Sequence, residues 1–194
     1  ALLLDRASFP RPKLCGGLLT WKSMRLLERL HSRTADGLIR EGIVDTVAGG
    51  FALHLGGHPL TRDRLAYPFH LVRRARFDAF LLDQALQAGT RVLHEHEIVH
   101  CYPHGTVSSN QGEFRGRFVL GADGVNSVAR KCFGLPRERW QRNLAAAIEI
   151  TVPREAAPRI TDVPELHAGF LPTGYAWVFP NSAGMVMGIC GLRR

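Results

Sequence analysis

Hydrophobic positions change their period along the chain, and the changes mark out its elements. From Arg73 to Ala88 the apolar residues Phe77, Phe80, Leu81, Ala85 and Ala88 fall at helical spacing, and Gly89 is the expected stop. Ser23 predicts an N-cap for a second helix with Met24, Leu27, Leu30 and His31 on one face, and a short helix is expected around Asp36 to Arg40. Strand patterns occupy Ala1 to Asp5, Phe51 to Leu55, Pro68 to Val72, Arg117 to Leu120 and Leu144 to Val152. Gly56-Gly57 reads as a hairpin turn after the second of these, and the histidines around it as surface or hairpin residues. Short strands near Arg91 to Leu93, Ile98 to Tyr102 and Thr106 to Ser108 read as an antiparallel meander. Near the end, Glu165 to Phe170, Gly174 to Pro180 and Gly184 to Gly191 read as successive antiparallel strands. In the middle one Tyr175, Trp177 and Phe179 alternate, so their rings share a face, which is either core or a slot.

Two stretches depart from plain patterning. Gly121-Ala122-Asp123-Gly124 follows a short apolar run and leads into helical spacing at Val125, Val128, Ala129 and Cys132. This layout can aim backbone N–H groups at an anion and a carboxylate at sugar hydroxyls, or it can be an ordinary turn with a capping Asp. Ser127 and Arg130 fall on one face of that helix. Earlier, Phe9-Pro10-Arg11-Pro12-Lys13-Leu14-Cys15-Gly16-Gly17 is a proline-stiffened basic loop ending in a thiol and two glycines. Cys15 alone would be a buried structural thiol; beside two glycines it suits a ligand approaching the backbone. Asp5 closes an apolar strand, where a dinucleotide-binding sheet places a ribose-binding carboxylate about 20 residues beyond its glycine-rich turn, or where an Asp makes a local turn.

Composition narrows the classes. The chain has 194 residues, of which 45% are hydrophobic, enough for a real core. Its net charge of +8 is carried mainly by arginines clustered at 73, 74 and 76, at 137, 139 and 142, and at Arg193-Arg194. No dense basic run interleaved with aromatics accompanies them, so a nucleic-acid partner is not expected. Arg73, Arg74 and Arg76 crowd the end of a helix where its dipole disfavours cations, which fits a solvated face or an arginine turned to an anionic ligand. Four widely spaced cysteines and histidines without metal-ligand spacing predict no metal and reduced thiols in a cytoplasmic setting. No apolar run is long enough to span a bilayer, so membrane contact would be peripheral.

Taken together, Leu2-Leu3-Leu4-Asp5, the Phe9 to Gly17 loop, Val72-Arg73-Arg74-Ala75-Arg76-Phe77-Asp78, Gly121-Ala122-Asp123-Gly124-x-x-Ser127-x-x-Arg130 and Tyr175-x-Trp177-x-Phe179-Pro180 resemble the geranylgeranyl reductase family. These are flavoproteins of the para-hydroxybenzoate hydroxylase-like FAD superfamily. The resemblance covers nearly the whole chain in the right order. It implies an α/β fold with α+β elements: an incomplete Rossmann-like FAD-binding sheet joined to an antiparallel β-rich substrate domain. The partial FAD-binding domain would take residues 1–48, a substrate-domain hairpin 49–72, the continued FAD-binding domain 73–135 and the partial substrate domain 136–194.

Carried over position by position, the resemblance gives Asp5 the adenosine ribose of FAD, Gly16 and Gly17 the flavin, and Arg74 the ribitol or pyrophosphate. Asp123 would bind the ribitol and pyrophosphate region, with clearance from Gly124. Cys15 would sit on the substrate side as the catalytic proton donor or gate. Tyr175, Trp177, Phe179 and Pro180 would line a slot for a polyprenyl or other lipid-like chain. The implied reaction is FAD-dependent reduction of polyprenyl C=C bonds, with NAD(P)H or a reduced electron carrier as reductant. A flavin monooxygenase or halogenase of the same superfamily is the alternative, although the halogenase element Trp-x-Trp-x-Ile-Pro is absent. A non-catalytic fragment or lipid-binding module is a third reading.

Departures from the family pattern shape these expectations. The family's Gly-x-Gly-x-x-Gly turn should precede Ala1 and a Gly-Asp motif should follow Arg194, so the chain reads as the central slice of a longer protein. Alone it is expected to bind FAD weakly or not at all and to be inactive. Leu18 stands where some relatives carry a third glycine.

Overall fold

The computed structural model describes residues 1–134, 136–157 and 159–192. Arg193 and Arg194 of the terminal basic pair lie outside the described residues, as do the side chains of Arg137 and Arg139. In chain order the elements are β1 (Leu2–Leu4), β2 (Leu18–Leu19), α1 (Trp21–His31), α2 (Ala35–Arg40), β3 (Val44–Leu55), β4 (His58–Val72) and α3 (Arg74–Gln87). They continue with β5 (Arg91–Leu93), β6 (Ile98–Cys101), β7 (Thr106–Ser109), β8 (Gly112–Arg115), α4 (Val128–Cys132) and α5 (Arg137–Gln141). The last are β9 (Ala145–Pro153), β10 (Glu165–Ala168), β11 (Gly174–Asn181) and β12 (Gly184–Leu192). The class is mixed α/β, as the sequence predicts.

The chain divides into two compact units. The first, residues 1–11 and 82–144, holds a parallel pair, β1 with β5, and an antiparallel meander, β6-β7-β8. Its core joins Cys101, Val107 and Ala129 to Leu4, Ile98, Val119 and Cys132. The second, residues 12–81 and 145–194, is built on one sheet of order β2-β4-β3-β10-β11-β12-β9. Its core packs Met24, Leu27 and Leu38 with Val44, Val72, Phe77 and Phe80.

Several sequence expectations need correction. Residues 117–120 form no strand: among the described residues no strand pairs with them, and Phe118 and Leu120 are 85% and 92% exposed. A strand needs a neighbour to take its N–H and C=O groups, whatever its side chains favour. The strand at 91–93 leaves the meander and pairs in parallel with β1, while Gly112–Arg115 supplies the third meander strand. Thr20, in extended conformation, replaces Ser23 as the residue preceding α1, and Leu30 is exposed while Met24 and Leu27 carry the buried face.

The Gly56-Gly57 hairpin joins β3 to β4, and its return arm and the strand expected at 68–72 are one long strand, β4. Its register against β3 jumps from Ala48↔Phe69 to Gly50↔Arg64, which leaves Pro68 in a bulge where no ladder N–H is required. Cys15 is exposed. Finally, β10 pairs in parallel with β3, a long-range contact that no local pattern signals.

Candidate functional site

The second unit gathers most of the predicted site residues. Across β11, Tyr175, Trp177 and Phe179 form a ladder with ring centroids 5.9 Å and 6.4 Å apart, as alternation predicts. Trp177 is buried, Phe179 half-buried and Tyr175 exposed, while Pro180 is buried. The Cys15–Gly17 loop lies over the inner end of this ladder. A Cβ on Gly16 would stand 2.6 Å from Phe179 Cδ2 and 3.2 Å from Trp177 Nε1. Gly17 has φ +71°, and a Cβ there would collide with the Val72 carbonyl oxygen. Both glycines are therefore required by the chain's own packing, whatever else they meet.

Backbone bonds fix the loop further. The Gly17 carbonyl accepts from Val72 N–H at 2.9 Å, and Cys15 N–H donates to Glu149 Oε1 at 2.8 Å. Glu149 stands opposite Gly188 in the β12–β9 ladder, and Gly188 stands opposite Trp177, so all three share a sheet face. Sequence reasoning missed Glu149 because nothing local marks it; only the strand order brings it beneath the loop. Arg74, at the start of α3, donates through Nε and Nη2 to both oxygens of Asp78 at 2.8 Å and 2.9 Å. That pairing, partly opposed by burial, and then the neighbouring Cys15 raise its pKa, so Arg74 is a fixed cation beside the loop. Arg73 contacts Asp45 at 3.2 Å.

At the exposed end of the ladder the face turns apolar. Leu53, Leu55, Leu60, Leu166, Ala168 and Tyr175, with His54, line a groove of about 250 Å³. Leu53, Leu166 and Trp177 stand opposite one another across β3, β10 and β11, so the groove continues the aromatic face. Among these only Tyr175 was foreseen, since the parallel β3–β10 pairing creates the groove. Burial, and then Cys190 directly across the ladder, raise the Tyr175 pKa.

The first unit holds the other predicted residues. Asp5 closes β1 at its carboxyl end, with Oδ1 accepting from Ala7 N–H at 2.9 Å as in a local turn. Asp123 accepts from Ser127 Oγ at 2.5 Å, Val128 N–H at 2.6 Å and Ala129 N–H at 3.1 Å. Burial opposes its ionisation, but those bonds more than offset burial and lower its pKa. Its carboxylate thus caps α4, the ordinary-turn reading of the motif, and Ser127 adds a second cap on Arg130 N–H at 2.9 Å. Gly124 has φ +77° and open space around it. Arg130 stacks over Trp140 at 3.9 Å instead of sharing work with Ser127 through its side chain.

Known proteins resemble this chain. No protein-family model matches the chain. An uncharacterised protein of Methanosarcina barkeri is 24% identical over 190 residues, covering 96% of this chain and 46% of that protein. Digeranylgeranylglycerophospholipid reductase 1 of Methanopyrus kandleri is 27% identical over 209 positions, covering 98% of this chain and 51% of that protein. Among solved structures, the tetrameric form of 2-methyl-3-hydroxypyridine-5-carboxylic acid oxygenase has a TM-score of 0.71 at 18% identity, covering 98% of this chain and 52% of that one. Halogenase PltM in complex with phloroglucinol and FAD has a TM-score of 0.70 at 19% identity, covering 98% and 46%. The chain spans about half the length of the curated relatives it matches. The structures show a shared fold, and with the reductase relative they support a place in the FAD-binding oxidoreductase superfamily. No described helix is long and apolar enough to cross a membrane.

Proposed function

We propose that the chain is part of an FAD-dependent oxidoreductase that reduces C=C bonds of a polyprenyl group. The observation that carries this reading is the apolar groove at Tyr175, continuous with the aromatic ladder whose inner end the Cys15–Gly17 loop covers. Such a surface offers an alkene chain burial worth about 25 cal/mol per Å² without charge complementarity. The name of the Methanopyrus kandleri relative points to the same substrate class.

Residues of each unit, taken by itself, suit part of FAD. Asp5 keeps Oδ2 as an acceptor for ribose hydroxyls at the carboxyl end of β1, where open sheets bind ligands. Arg74, with Nε and Nη2 held by Asp78, keeps Nη1 as a donor to phosphate or ribitol oxygen. Gly124 leaves its backbone open to close approach, and Asp123 holds the turn that presents it. Gly16 and Gly17 form the wall against the flavin. FAD when bound supplies the hydride chemistry. Tyr175, Trp177 and Phe179 orient the apolar chain and keep water from it, while Pro180, the next residue of β11, lies on the other face of the sheet and supports the strand. The exposed Cys15 thiol, on a loop anchored by Glu149, donates the proton that completes saturation.

The test uses the full-length protein with FAD and a chemical or enzymatic reductant under anaerobic conditions, reading the mass gain of two hydrogens per double bond in a geranylgeranyl substrate. Unchanged substrate would overturn the reading. A second reading, a flavin monooxygenase or halogenase, is favoured by the fold of the oxygenase and PltM structures. NAD(P)H-coupled oxygen consumption with no alkene reduction would select it. NAD(P)H, a reduced electron carrier and peripheral membrane contact belong to the proposal and are read in the same assays, by reductant exchange and vesicle sedimentation.

A further inference from the structure

The face of the sheet opposite Trp177 carries a cluster that the proposed reaction does not use. His54 and His167 stand opposite each other in the parallel β3–β10 pairing, and Glu165 lies two residues before His167 on the same face. Glu165 Oε2 is 3.4 Å from His167 Nε2 and 3.7 Å from His54 Nε2, and the three ligand atoms lie within 4.8 Å of one another. Both Nε2 atoms are buried without a hydrogen-bond partner, and the Glu165 side chain is only 5% exposed. Arg159 Nη2 holds Oε1 of Glu165 at 2.6 Å, which fixes the carboxylate and leaves Oε2 toward the imidazoles.

We infer that His54, Glu165 and His167 form a binding site for a divalent transition-metal ion, Zn²⁺ in the first instance. Two neutral imidazoles and one monodentate carboxylate suit Zn²⁺, whereas Ca²⁺ and Mg²⁺ take oxygen sets. With metal–ligand bonds of about 2.0–2.2 Å, tetrahedral donors sit roughly 3.3–3.6 Å apart, which brackets the His167 separation and approaches that of His54. The Arg159 contact acts as the outer-shell bond that orients a ligating carboxylate. The imidazole rings stack at 4.2 Å and 11°, so binding splays them until both lone pairs meet at the ion. A water completes the fourth position.

Spacing could not announce this site, because His54 comes from the first hairpin and the other two from β10, and only their parallel pairing assembles it. The test is equilibrium dialysis of metal-stripped full-length protein with Zn²⁺ and with Co²⁺. One ion per chain is expected, with the visible absorption of four-coordinate Co²⁺ and a raised Tm. Glu165→Gln and, separately, His54→Gln should each lower affinity on the order of 100-fold, since loss of a ligand exceeds the 10–100-fold cost of losing an outer-shell partner. His58→Gln, on an exposed hairpin residue, should leave it unchanged. No stoichiometric uptake by folded wild type would overturn the site, as would uptake that survives either ligand variant or falls equally with His58→Gln. Circular dichroism of each variant separates loss of metal from loss of fold.

Discussion

Gly188 stands directly opposite Trp177 in the β11–β12 ladder, and the indole ring occupies the volume that a Cβ at 188 would need. Gly16 makes the same allowance from the loop side, where a Cβ would stand 3.2 Å from Trp177 Nε1. The ring is thus pressed between a strand glycine and a loop glycine. A strand glycine ordinarily weakens its ladder, and here an aromatic ring covers the gap.

Gly188→Ala and Gly16→Ala should each cost about 1–3 kcal/mol, because the side chain must displace an aromatic ring in a packed face. Urea unfolding followed by tryptophan fluorescence measures this. Gly49→Ala, with nothing within 4 Å of its Cβ, is the control and should stay within about 1 kcal/mol of wild type.

Trp177→Phe tests the other side of the same contact. The indole N–H has no hydrogen-bond partner although it is buried. Removing it recovers part of the roughly 1–3 kcal/mol that an unpaired buried donor costs, so Trp177→Phe, which keeps an aromatic ring, should cost less than about 2 kcal/mol. A loss of about 3–5 kcal/mol in chemical denaturation, as for truncation of the whole ring, would show that the N–H is satisfied.

Asp123→Ala should cost about 1 kcal/mol through loss of the α4 cap. The pH dependence has a definite sign. Asp123 has a folded pKa below its ordinary 3.8, so its contribution is present above pH 3.8 and is lost as pH falls through the lower, folded value. Asp123→Asn should flatten the acid limb in that window, as measured by Tm against pH.

His70, buried on β4, has its pKa lowered from 6.5 by burial, partly opposed by a backbone hydrogen bond with Pro68. Below pH 6.5 the unfolded chain takes up a proton more readily than the folded one, so stability falls as pH drops from 6.5 toward the folded value. His70→Gln should remove that slope below pH 6.5. An unchanged slope would assign it to other groups.

Arg74→Lys should weaken FAD binding by full-length protein about tenfold, or about 1.4 kcal/mol, because a lysine cannot bridge Asp78 and still present a fixed donor. Unaltered FAD affinity would confine Arg74 to holding Asp78.

Much of the site was legible where chemistry is local. Alternation placed the rings of Tyr175, Trp177 and Phe179 together, and helical spacing with Gly89 as stop delimited α3. The Asp123 turn was legible in form, but its two readings could be separated only by seeing the carboxylate spent on Ser127, Val128 and Ala129.

By itself the sequence determined the element types and the local turns, because φ preferences, periodicity and glycine stops act within a few residues. Tertiary structure decided which strands pair. It left residues 117–120 without a ladder, set β10 parallel to β3, and placed Glu149 under Cys15. The apolar groove and the His54–Glu165–His167 cluster follow from that pairing. The physical reason is that strand order depends on long-range burial and backbone hydrogen bonding between distant segments, for which no local pattern carries a code.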